Sequence, residues 1–511
     1  MKIKSFQRSA AKPFFWLFGA LAGLSLLSAP DATHDEMFHA TNIWCGQGIR
    51  PLYCSAIRFD VPTPGALVNF DNLTCQQSPD KPLHCPSDGK GSSFRSISSN
   101  NLYPRLPWSD HATLFYLVLS WFVVPSPELS FLLTRVTNAL LISVVLGAMA
   151  HLLPKRHRKV VLIVVILALP STGYFLLASI NPSSWTLFGV GFSWYAIHAS
   201  LAADNLAAKR RIGLIGLGGV SILMALGSRW DAWGFILFTL CLVGFHAAWE
   251  RFANHRWIIA AMALFVPILL VTFLNQINPI SPQLIGVLLS PKEGQVNNFD
   301  FFTTYLLYGV PNALESLGTL PTTSPLNPPE AIFFANVVVL GVLVFKGRNR
   351  DSAAQLVGTG VSLLMITVVI MAQVALIDNR DSEGIEPRYI LPLLVFAIGW
   401  WFLHSSTDGE RTIAGRLKSL RWIIIGSFAL TSYTVAERFT DVQTPGLRLL
   451  PEGPDQWWWS FLPVGPNTVT VLCTLSFAIF LHKAVASITE DENGGIPKNK
   501  EIKMNESSAI N

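Results

Sequence analysis

Charged side chains are scarce. Asp, Glu, Lys and Arg make up 14% of the 511 residues, against about 25% in a soluble globular protein. With 51% hydrophobic residues and a mean hydropathy of +0.42, the shortage excludes an ordinary soluble fold and points to a polytopic membrane protein. The net charge of +5 is too small to imply a nucleic-acid partner. Cysteine is scarce as well, six in all, and no CxxC pair occurs, which weakens a metal–thiolate reading. No internal repeat is found, which argues against a transporter built from two matching halves.

What is present is aromatic and apolar. Sixteen Trp and thirty-three Phe suit lipid-facing and interfacial positions. Basic clusters then set the topology, because cytoplasmic loops collect Lys and Arg. Lys2, Lys4, Arg8 and Lys12 precede an uncharged run at 13–29. A cleavable signal peptide competes with a retained first span, and Pro30 directly after Ser28-Ala29 favours the span. A long polar segment at 30–110 follows outside. The run 111–124 is short, and no basic cluster follows it. The run 129–153 ends at Lys155-Arg156-His157-Arg158-Lys159. Charge parity therefore makes 111–124 an interfacial or re-entrant helix and 129–153 the second span.

Further spans are expected at 160–178, 185–203, 212–226, 232–249, 257–274, 331–345, 353–377, 389–403, 422–435 and 468–485. They give about twelve spans with both termini in the cytoplasm. The expected organisation is a cytoplasmic N-terminus at 1–12, a transmembrane domain at 13–486 and a disordered cytoplasmic tail at 487–511. The outer loops fall at 30–110, 275–330 and 436–467. Inner loops are short and basic, so functional mass is expected outside.

Cys45, Cys54, Cys75 and Cys85 lie together in the first outer loop. They read either as two disulfides formed in an oxidising compartment, with three pairings open, or as free thiols. Cys241 and Cys473 sit in apolar runs and read as small core- or lipid-facing residues.

Chemistry is expected just past the first span, in Asp31-Ala32-Thr33-His34-Asp35-Glu36-Met37-Phe38-His39. Asp35 or Glu36 could act as a general base on a hydroxyl or supply oxygen ligands to a divalent cation. They could equally occupy the first turn of a helix, where negative charge suits the dipole. His39 shares a helix face with both. Arg388, with Tyr389, stands at the start of a span and suits either a phosphate or snorkelling to headgroups. Arg229 and Asp231 read as an ion pair or as the lining of a shared cavity. Arg135 lies inside its span and needs a partner or a wet cavity. Asn181-Pro182 reads as a helix cap. Trp457-Trp458-Trp459 reads as an interfacial anchor or a platform for sugar rings.

These residues resemble two related families. Asp35-Glu36-x-x-His39, the later Asp110-His111-Ala112-Thr113-Leu114-Phe115-Tyr116 and Thr134-Arg135-Val136 resemble the marks of GT-C glycosyltransferases, although the Pro-Pro of their middle motif is missing. Ser179-Ile180-Asn181-Pro182, Ser228-Arg229-Trp230-Asp231 and Pro387-Arg388-Tyr389-Ile390-Leu391-Pro392, taken with the acidic start, resemble the bacterial domain-of-unknown-function family 2142 over roughly residues 13–405. The resemblance implies an all-α, GT-C-like transmembrane bundle in the bacterial cytoplasmic membrane. It implies sugar transfer from a polyprenyl-phosphate donor to an envelope glycan or glycolipid acceptor at the outer face. Asp35 would be the base, with Glu36 or His39 orienting it. Arg388, Tyr389 and Arg229 would meet the donor phosphate, and Arg135, Asp231 and His111 would support them. A lipid-linked-glycan translocator or a non-enzymatic envelope-assembly protein is the competing expectation.

Overall fold

The computed structural model describes residues 11–28, 36, 39–40, 43, 76–78, 81–84, 113–124, 127–167, 169, 171–203, 206–229, 232–251, 339–344, 353–377, 387–437 and 463–493. The four clustered cysteines, the expected span at 257–274, the outer loop at 275–330 and Trp457–Trp459 lie outside them. So do Asp35, His111 and Asp231. Among the described residues the architecture is a bundle of α-helices with one short antiparallel hairpin. The hairpin, β1 (Gln76–Ser78) and β2 (Lys81–His84), pairs Gln76 with His84 and Ser78 with Lys81.

Helix α1 (Lys12–Leu27) carries Pro13 in its first turn, where a missing N–H costs nothing. The run expected to be too short to span contains α2 (Thr113–Ser120), eight residues, or about 12 Å of helix. It cannot cross a hydrocarbon core about 30 Å thick. Helix α3 (Pro127–Leu152) matches the second span.

The single span expected at 160–178 is two helices, α4 (Lys155–Leu167) and α5 (Ser171–Leu177). Pro170 falls between them, where it lacks a donor and disfavours a helical residue before it. Then come α6 (Ser183–Ala202), α7 (Ala208–Leu226), α8 (Ala232–Arg251), α9 (Ala353–Ile377) and α10 (Pro387–Leu403). The last two are α11 (Thr407–Glu437) and α12 (Pro466–Asn493). Helix α11 begins well before the expected 422 and takes the basic residues 411–421 into the helix. Helix α12 carries on through the first seven positions of the expected tail.

One continuous core joins α1, α3 to α7 and α10 to α12, with the largest buried side chains Trp185, Trp194 and Trp400 inside it. A smaller cluster (Val190, Ala225, Phe235, Ile366, Ile390, Leu393) seals α6, α7, α8, α9 and α10 together. Helix α1 packs against α12 and α3 as one of the bundle's own helices. Close approach there depends on small residues, since a Cβ at Gly23 would sit 2.6 Å from Cys473 Cβ. Large apolar side chains face outward, among them Trp121, Ile212, Leu223, Leu364, Trp422 and Val471. A rim of that kind suits lipid rather than water. Among the described residues, 129–152 and 466–489 are by themselves long and apolar enough to cross a membrane, and shorter apolar helices occur within α1, α8, α9 and α10.

Candidate functional site

Alternating helix directions bring the C-termini of α1 and α7 and the N-termini of α3, α6 and α8 to one end of the bundle. Of the predicted residues, Glu36, His39, Arg135 and Arg229 lie there. Glu36 is helical in backbone and fully buried. Its Oε1 accepts from Arg135 Nε at 2.9 Å and its Oε2 from Arg135 Nη2 at 2.6 Å. Oε1 also accepts the Ile180 N–H at 3.1 Å. Arg135 Nη1 donates to the carbonyls of Ser25 (3.0 Å) and Ser28 (2.5 Å), near the end of α1. Its guanidinium also lies 4.6 Å from the Phe131 ring centroid. The partner that Arg135 requires is therefore Glu36. The fork geometry suits a carboxylate held by two parallel bonds, and the extra donors and acceptors offset the desolvation of two buried charges.

A second set of bonds extends this layer. Asn138, one helical turn beyond Arg135 on α3, donates to Ser179 O at 2.8 Å and to Ser184 Oγ at 3.1 Å. Its own Oδ1 accepts from Trp185 Nε1 at 2.8 Å. Ser25 Oγ donates to Ala178 O at 2.9 Å. Asn181 does act at the start of α6, its Oδ1 accepting the Ser183 N–H at 2.9 Å, the bond of an Asx turn. Thr186 and Ser228 share a bond of 2.9 Å, and Arg229 Nη1 donates to Ser183 Oγ at 3.0 Å. His39, buried, bonds the Tyr116 hydroxyl through Nδ1 at 2.8 Å. Arg388 and Tyr389 occupy the first turn of α10.

The structure thus brings Glu36, Arg135, the 179–186 stretch, Ser228 and Arg229 into one polar layer, with His39 held on Tyr116. Glu36 is an anchor inside the protein rather than a carboxylate on an open surface.

A second polar cluster lies at the opposite end, where the basic residues gather. Arg210 bonds the C-terminal carbonyls of α3, Leu152 O and Leu153 O, the latter at 2.6 Å. Arg211 bonds Ala203 O at 3.0 Å. Basic side chains satisfy helix C-termini in this way. At the same end four imidazoles form a ladder. His157 Nε2 meets His198 Nδ1 at 2.9 Å, His198 Nε2 meets His246 Nδ1 at 3.4 Å, and His246 Nε2 meets His404 Nε2 at 3.1 Å. His404 Nδ1 reaches Trp400 O at 3.0 Å.

One fixed point orders the tautomers of neutral rings. A carbonyl only accepts, so His404 Nδ1 carries the hydrogen and its Nε2 the lone pair. His246 then donates through Nε2, His198 through Nε2 and His157 through Nε2. His157 Nδ1 is left as a buried lone pair with no hydrogen-bond partner among the described residues. Burial pushes His157 down to about 3, with Arg156 and His404 adding to the effect. Burial likewise brings His404 to about 4, against a raising bond to Trp400 O. Both are neutral at pH 7.

Comparison with known sequences follows the same path as the motifs. Residues 17–397 match the model of a family described as "Predicted membrane protein (DUF2142)". No curated protein and no solved structure matches the chain.

Proposed function

The chain belongs to the DUF2142 family of predicted membrane proteins, and on that premise we propose that it is a membrane glycosyltransferase. It moves a sugar from a polyprenyl-phosphate donor to an envelope glycan or glycolipid, at the outer face of a bacterial cytoplasmic membrane crossed about twelve times. The observation that carries this reading is the polar layer in which Glu36 and Arg135 join α1, α3 and the start of α6. Elements far apart in sequence are fixed there at one end of an apolar bundle, as a preorganised site requires.

Asp35, the residue before the pinned Glu36, is assigned as the general base on the acceptor hydroxyl. His39 and Glu36 position it. Arg388 and Arg229 neutralise charge developing on the phosphate leaving group.

The test is transfer from radiolabelled polyprenyl-phosphate sugars to membrane acceptors by the purified full chain. Loss of a general base lowers rate by about 10²–10⁴-fold, so Asp35→Asn should drop transfer by that factor at equal expression. Undiminished transfer by Asp35→Asn would remove the base assignment. Lipid-linked glycan crossing the membrane with no donor consumed would favour translocation instead.

A further inference from the structure

Four of the chain's eleven histidines converge at the end of the bundle remote from Glu36. They come from α4, α6, α8 and the residue after α10. Along α6 the His198 position lies about 22 Å from the Ser183 end, at 1.5 Å per residue, so the two polar clusters are separate sites. We propose that this cluster binds one divalent transition-metal ion of the zinc class, with His198, His246 and His404 each giving one ring nitrogen.

The geometry is close to what such an ion needs. Ligating nitrogens of the three residues lie within 4.8 Å of one another. Zinc–imidazole bonds of about 2.0–2.1 Å in a tetrahedral site place nitrogens roughly 3.3 Å apart. The His246 Nε2–His404 Nε2 separation of 3.1 Å already meets that, and the third ring closes by on the order of 1 Å. Outer contacts brace the ligands as metal-binding histidines are braced. His404 offers Nε2 inward while its Nδ1–H rests on Trp400 O, and His198 is held from behind by His157. Trp400 flanks His246 and His404 at ring-centroid distances of 5.2 and 4.6 Å, an aromatic wall that limits water.

The ligand type selects the ion. Three neutral imidazoles with no carboxylate among the described members suit zinc, cobalt, nickel or copper and not magnesium or calcium. A fourth position is completed by water, hydroxide or a small anion. Binding takes the place of the imidazole–imidazole bonds: His246, His198 and His157 shift their ring hydrogens from Nε2 to Nδ1, which frees the ligating Nε2 lone pairs of His246 and His198 with no net proton loss.

The experiment uses the full chain in detergent, purified on a tag without histidine and stripped with a chelator. Cobalt(II) is the probe, read by its visible d–d absorption, and zinc content after gel filtration is read by mass spectrometry. Wild type should take up one ion, show the absorption of an all-nitrogen tetrahedral site without thiolate charge-transfer bands, and gain thermal stability. His246→Gln and His404→Gln should lose most of the bound ion, while His482→Gln, at an exposed position on α12, should keep it. No d–d band in wild type, or metal retained undiminished in the His246→Gln/His404→Gln pair, overturns the site. The wild-type titration decides the matter even where a variant fails to fold.

Discussion

Glu36 and Arg135, 99 positions apart, meet through two bonds of 2.9 and 2.6 Å with neither side chain exposed. Removing one member of such a pair strands a buried charge and costs about 3–5 kcal/mol, whereas replacing both by apolar groups is far milder. Glu36→Leu and Arg135→Met should each lower thermal stability strongly in detergent. The double variant should recover a large part of the loss, read as a double-mutant cycle. Strictly additive losses would show that the two side chains are not coupled.

Asn138 satisfies both a donor and two acceptors between α3 and α6. Asn138→Leu leaves Trp185 Nε1 and Ser179 O without it, at about 1–3 kcal/mol per buried unmatched group. Denaturation by a graded detergent or urea series should show a loss of about 2–6 kcal/mol for the two groups together. A variant as stable as wild type would mean that water replaces the amide there.

Gly23 sits where a Cβ would meet Cys473 Cβ at 2.6 Å. Gly23→Val should separate α1 from α12 and destabilise by about 1–3 kcal/mol, the usual range for overpacking. Cys473→Ala in the same chain removes Sγ, which would lie 2.9 Å from that added Cβ, and should return part of the loss. If Gly23→Val changes nothing in a thermal scan, the two helices do not approach this closely.

Arg388 opens α10 and is assigned to the donor phosphate. A charged hydrogen bond is worth about 1.5–3 kcal/mol, so Arg388→Ala should raise KM for the polyprenyl-phosphate donor about 10–100-fold. The KM for the acceptor should stay near its wild-type value. A change confined to acceptor KM would move Arg388 to the other substrate.

Much of the bundle was legible from apolar runs and the charges bounding them. Helix α9 (Ala353–Ile377) has the expected bounds because Asp351 and Asp378 fence an uncharged run. Hydropathy was blind where apolar character and helix continuity diverge. The 160–178 run carries no charge, yet one helix ends at Leu167 and the next starts at Ser171. Basic residues 411–421 end a hydrophobic run without ending a helix, since Arg and Lys are good helix formers.

At the site, Arg135's need for a partner could be read from its depth, but the identity of that partner could not, because Glu36 lies in a different segment. The histidine ladder was missed for a related reason. Its members are 41, 48 and 158 positions apart, so no spacing pattern ties them together. The available signal was depth: His198, His246 and His404 each stand near the basic-flanked end of their own apolar run.

The contacts of Glu36 also bear on how the chain is made. Its carboxylate leaves the ribosome 99 residues before Arg135 and 144 before the Ile180 N–H. Until those later segments are inserted, the carboxylate has neither of these partners and is better hydrated than buried. The buried position of Glu36 is therefore completed only after α3 and the turn that follows α5 have been made, which places the closing of this polar layer late in the assembly of the chain.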